Sequence, residues 1–191
     1  MKRFCSQFVF CSPEKILRQA VVEQNESGTI TDLFLLSSRH SESAHTLFVD
    51  GILSAGIVSL KLQLPPEKLT SIQNSNQYID LSSGILPDDT TPNEKLILDF
   101  GTNSIVEINQ TLRFAFPFLM RLSVFDIISA CVYRPALFLE QEAELVQGMK
   151  TNLLQWKGAN PVISSSLKTH IHFTITPLSP SIEIGNIKKS L

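Results

Sequence analysis

Pro65-Pro66 constrains this chain more than any other pair of residues. The apolar run Ile57 to Leu64 before it reads as a strand. Two successive prolines bring no amide donors, so a ladder has to end there. Residues 70–95, which follow, are crowded with Asn, Ser, Asp and Pro. They read as a long connection, of a length uncommon inside compact domains. The chain reads as three segments: 1 to about 55, about 56 to 103, and the remainder.

The first segment is rich in strand signals. Phe4 to Phe10 has a mixed apolar alternation, and Ile16 to Glu23 carries a second β-prone run. Glu26-Ser27-Gly28 is a turn signal, and Thr29 to Leu36 resumes extended structure, which predicts a hairpin. Thr46 to Val49 is a further short strand, and in the middle segment Leu96 to Phe100 is another.

The helical signals come later. Glu107 to Phe118 predicts a helix ending near Pro117. Ser123 with Asp126 three residues on is a capping box. Val124, Ile127, Ile128 and Cys131 recur on one helical face, and Pro135 is expected to close that helix. Gln147 to Lys150 reads as a turn, and Leu153 to Trp156 and His170 to Thr176 as strands. The fold class is therefore α+β, mainly β.

Composition narrows the function classes. The chain has 191 residues, is 43% hydrophobic and carries a formal charge of −2, which suits a protein with a sizeable core and gives no footprint for nucleic acid. No apolar run reaches the ~18 residues that cross a bilayer, and the N-terminus lacks the unbroken apolar core of a secretory signal. The expectation is a cytoplasmic protein that binds neither membrane nor nucleic acid. Three cysteines at irregular spacing (Cys5, Cys11 and Cys131) suggest neither a disulfide framework nor a zinc site. Cys5 and Cys11 are expected in strands and Cys131 in a helix core.

Four collinear stretches carry a resemblance. They are Asp50-Gly51-Ile52-Leu53 running into Gly56 to Leu64, then Phe100-Gly101-Thr102-Asn103-Ser104, then Ser129 to Leu137, then Glu144 to Leu154. In this order they resemble landmarks of the metal-dependent amidohydrolases. That resemblance implies a small β-sandwich built from both chain termini, with a catalytic (β/α)8 barrel between its halves. A barrel of that kind takes roughly 250 residues, whereas Gly51 and Gly101 are only 50 apart. Six further βα units, each on the order of 30 residues, do not fit. The expectation is a sandwich, 1–55 with 139–191, joined to a barrel remnant, 56–138, with no complete barrel.

The resemblance also implies metal-binding positions, and each that maps here is altered. Lys61 and Gln63 stand where the family has paired histidines, and Asn103 stands where it has an aspartate. A protonated amine and an amide are poor zinc ligands, and an amide is no general base near neutral pH. These three are read as vestigial positions, with no catalytic residue and no cofactor. The function expected is that of a non-catalytic remnant with a structural or protein-interaction role, as a homodimer or with another protein, and no small-molecule ligand. A sandwich that once packed on a barrel needs its apolar face covered, by residues 104–138 or by another copy.

The alternative is a small metal-dependent hydrolase of a C–N bond with a rebuilt zinc site. His170 and His172 share one strand face, and Glu183 is a candidate third ligand. A zinc site needs more ligands than the pair provides, so the histidines read first as polar-face strand residues. His40 and His45 read as solvated loop residues, and Glu140, Glu142 and Glu144 as a solvated face. Ser164-Ser165-Ser166 has no base beside it and reads as a linker.

Overall fold

The computed structural model describes residues 1–38, 45–74, 77–86, 94–101, 104–159 and 173–178. Its strands are β1 (Lys2–Ser12), β2 (Lys15–Gln24), β3 (Ile30–Leu35), β4 (Thr46–Ala55), β5 (Tyr78–Asp80), β6 (Ile97–Asp99), β7 (Leu153–Lys157) and β8 (Thr174–Pro177). Its helices are α1 (Pro66–Gln73), α2 (Ile105–Leu119), α3 (Val124–Ile128) and α4 (Arg134–Phe138), with a π-helical turn, Ser129–Tyr133, joining the last two. The class is α+β, with no closed barrel among the described residues. No helix there is long and apolar enough to cross a membrane.

Strands from both ends of the chain meet in one six-stranded sheet, ordered β3-β2-β1-β4-β7-β8. The β2–β3 hairpin forms around Gly28 as its turn residues predict. β1 pairs antiparallel with β2 and parallel with β4, which in turn pairs antiparallel with β7. β1 is interior to the sheet and buried on both faces: Phe4, Phe8 and Phe10 alternate with Cys5, Val9 and Cys11. A strand covered twice shows no clean polar alternation.

A bulge sits in β4. Ser6 pairs with Val49 and Phe8 with Ile52, so two steps on β1 span three on β4. Gly51 takes up the extra residue at φ +94°, where a Cβ would lie 2.1 Å from the Trp156 carbonyl oxygen. Only glycine fits that approach. The Ser6 hydroxyl donates to the Gly51 carbonyl at 3.0 Å. Trp156 is fully buried on β7 and donates its indole N–H to the Ser54 Oγ at 2.8 Å.

Helices rather than a second large sheet share the sheet's core. Ile108, Leu112 and Ala115 of α2, and Ile127, Ile128 and Cys131 beyond it, join Phe4, Phe10, Ile52 and Trp156 in one apolar cluster. Residues 105–138 thus cover sheet residues drawn from both ends of the chain. At about 25 cal/mol per Å², burial of one large apolar side chain contributes roughly 1.5–3 kcal/mol, so this shared cluster is the main stabilising term.

Several expectations are corrected. Ile57 to Leu64 is not a strand. The Val58 N–H donates to the Cys131 carbonyl, and the Gln63 and Leu64 N–H groups both turn back to the Leu60 carbonyl. Those bonds close a turn and leave no ladder. The stretch 70–95 is not one long loop: α1 runs into it as far as Gln73, and Pro66 opens that helix, since a proline at the first helical position forfeits no hydrogen bond. β5 follows and pairs in parallel with β6.

The first of the two expected helices, α2, ends near Pro117 as read, but Pro135 does not stop the second. α2 carries Pro117 inside and runs on to Leu119. Pro135 sits in the first turn of α4, which continues the helical path begun at Ser123. A proline cannot donate to the carbonyl four residues before it, here that of Cys131. That carbonyl accepts the Val58 N–H at 3.2 Å instead. The Arg134 N–H reaches back five residues to Ser129, the π-helical spacing. The Ser123 and Asp126 capping box forms as read.

Candidate functional site

The described residues converge on polar groups at the carboxyl ends of the parallel pair β5 and β6. The register sets Asp80 beside Asp99 and Tyr78 beside Ile97. Asp99 ends the apolar run Leu96-Ile97-Leu98 and is fully buried. A carboxylate there has to be satisfied.

Four donors surround it. Asp99 Oδ1 accepts from the Ser59 hydroxyl at 3.0 Å and the Gly101 N–H at 2.9 Å. Asp99 Oδ2 accepts from the Lys61 N–H at 2.8 Å and the Tyr78 hydroxyl at 2.8 Å. A carboxylate offers about four lone-pair positions, and all are taken. The cradle ties the 59–61 turn to the ends of both strands. It also explains why residues 59–61 leave extended structure: their donors point at Asp99.

Burial first, and then the Asp99 charge and hydrogen bond, push the Tyr78 hydroxyl far above the usual phenol range. Tyr78 is thus held as a donor. The Lys61 ammonium turns the other way, to Asp80 Oδ2 at 2.7 Å and the Ser82 hydroxyl at 3.2 Å. Burial alone would raise the Asp80 carboxyl. The Lys61 and Ser82 bonds outweigh it and bring that carboxyl below its ordinary value. Gly101 closes the group at φ +60°, where a Cβ would meet the Ser82 Oγ at 2.5 Å.

Of the residues the sequence singled out, Lys61 lies in this cluster. Gln63 does not: its side chain is exposed and meets Gln141 at 3.5 Å. Asn103, His170, His172, His40, Ser164 to Ser166 and Glu183 lie outside the described residues. His45 is exposed. Glu144 pairs with Lys15 at 2.7 Å, and Glu140 takes φ +55° past the end of α4. Cys5, Cys11 and Cys131 are buried free thiols, the first two in β1 and the third in the π-helical turn.

No family model matches this chain. No curated protein matches it either. Among solved structures it is similar to an N-acetyl-D-glucosamine-6-phosphate deacetylase from Mycobacterium smegmatis, at 9% identity and a TM-score of 0.24. The match covers 62% of this chain and 32% of that one, so the chain spans about a third of that protein's length. A score this low bears neither on fold nor on activity.

Of the positions where the amidohydrolase resemblance implies metal ligands, the two described ones, Lys61 and Gln63, do not fit a metal. Lys61 is engaged as an ammonium, Gln63 points elsewhere, and Asp99 has no free lone pair. Among the described residues no three His, Cys, Asp or Glu side chains come together as a metal site.

The sequence reading missed Asp99, Tyr78, Ser59, Asp80 and Ser82. The signal for Asp99 was available. A lone carboxylate in the strand Leu96 to Phe100 can be buried only with partners.

Proposed function

We propose that this chain is a non-catalytic relative of the metal-dependent amidohydrolases, with a structural or protein-interaction role. The single observation behind this reading is the Asp99 cradle. Lys61 stands at a position where the family binds metal, and here its backbone and side chain hold two carboxylates closed. A carboxylate with four donors has nothing left to take a proton from water or to grip a cation. The phenol beside it is fixed as a donor, and the neighbouring lysine is neutralised by Asp80. The cluster therefore acts as a clasp between a turn and two strands. Exposed Leu47 and Phe48 of β4, the latter 74% accessible, favour a partner protein or a second copy.

The test is elemental analysis of the full chain purified without a histidine tag, read together with its sedimentation. Substoichiometric metal with an associated species is the expected result. Stoichiometric zinc that disappears in His172→Ala would overturn the reading in favour of a rebuilt hydrolytic site.

A further inference from the structure

The outer edge of the six-stranded sheet ends in β8, and among the described residues a side chain of α2 hydrogen-bonds to it. Ile175 pairs with Trp156 across the ladder. Its N–H nonetheless donates outward to the Asn109 Oδ1 at 2.9 Å, and its carbonyl accepts from the Asn109 Nδ2 at 2.8 Å. The Asn109 amide thus does for Ile175 what a seventh strand would do. Backbone groups alternate along a strand, so Thr174 and Thr176 face β7. The next outward residue is Pro177, which has no N–H. Along β8, therefore, no donor is left for an incoming chain.

We propose that Asn109 is an edge guard whose amide keeps β8 from pairing with a second copy of this chain. Three observations support it. Thr174-Ile175-Thr176 is β-prone and bears no charge, so the usual protection by an edge lysine is missing. Asn109 lies on α2 between buried Ile108 and buried Leu112, so its amide is held by a packed helix rather than a loop. Asparagine is also a poor helix former, so the helix itself gives no reason for it. The opposite edge is closed at its start by other means: Ile30 of β3 exchanges bonds with Met149 and Gly148. The proposal does not depend on whether the chain is catalytic.

Sedimentation velocity of the full chain over a wide concentration range tests it. Asn109→Ala should form larger species as concentration rises, with at least a doubled weight-average mass relative to the wild type. Asn109→Asp still accepts the Ile175 N–H and puts a charge on the edge, so it should sediment as the wild type. Ser123→Ala, which loses a helix cap and leaves the edge closed, is the control for reduced stability and should also match the wild type. Asn109→Ala sedimenting as the wild type, or Ser123→Ala associating equally, overturns the proposal. Hydrogen exchange of the wild-type protein gives a reading independent of variant folding. The Ile175 amide should be protected; exchange at the rate of an open strand edge overturns the assignment.

Discussion

Replacing Asp99 by asparagine keeps the shape and removes one charge, so it isolates what the cradle contributes. If the new Nδ2 takes the Oδ1 place, it faces the Ser59 hydroxyl and the Gly101 N–H; in the Oδ2 place it faces the Tyr78 hydroxyl and the Lys61 N–H. Either hydroxyl can turn and accept. Neither backbone N–H can, so one is orphaned in both orientations at a cost of about 1–3 kcal/mol. The three surviving bonds become neutral and lose about 1 kcal/mol each. The expected loss is about 4–6 kcal/mol, a large fraction of the roughly 5–15 kcal/mol that holds a typical domain. With a urea slope of about 2 kcal/mol/M the midpoint should fall by about 2–3 M, or the folded baseline should vanish. Tyr78→Phe removes a single bond to a charged group, worth about 1.5–3 kcal/mol, and should move the midpoint by about 1 M. The ranking is the test. Asp99→Asn with a midpoint equal to or above that of Tyr78→Phe would refute the four-donor account.

Three other outcomes follow from the same geometry. The folded-state pKa of Tyr78 lies above its unfolded value, so the stability tied to its neutral form is complete below about pH 10 and is lost as pH rises further; in a Tyr133→Phe background, where Tyr78 is the one phenol, phenolate absorbance should appear only as the far-ultraviolet spectrum is lost, and a phenolate in the still-native protein would contradict this. Gly51→Ala forces a Cβ onto the Trp156 carbonyl at a φ of +94°, so it should cost well over 1 kcal/mol in a denaturant titration, and a wild-type midpoint would count against the bulge. Burial pushes the Cys11 thiol up to about 11, and all three cysteines are buried, so iodoacetamide near pH 8 should label none of them until urea is added; rapid labelling of Cys11 in the native protein would be the contrary result.

Features set by neighbours in sequence were legible. The turn at Gly28, the Ser123 capping box and the strand at Leu153 need only a few adjacent residues to declare themselves. Ile57 to Leu64 looked like a strand because apolar runs carry no record of where their amides will bond. Here one amide goes to Cys131 and another to Asp99, both far along the chain. Pro135 looked like a stop for the same reason. The carbonyl it orphans is satisfied by Val58, which no local pattern announces. Lys61 could be singled out by its position in the landmark run. Its partner Asp80 could not, because that pairing depends on β5, inside a stretch read as irregular.

The placement of β4 has a further consequence. Its first neighbour, β1, is already made when β4 leaves the ribosome, but Trp156, which pairs with Ile52, is synthesised 104 residues later. Throughout that interval one flank of the nascent strand stays adhesive, and contacts this distant in sequence form slowly. The period of greatest exposure for this protein is therefore its own translation, when a chaperone that shields Ile52 to Ala55 would matter most.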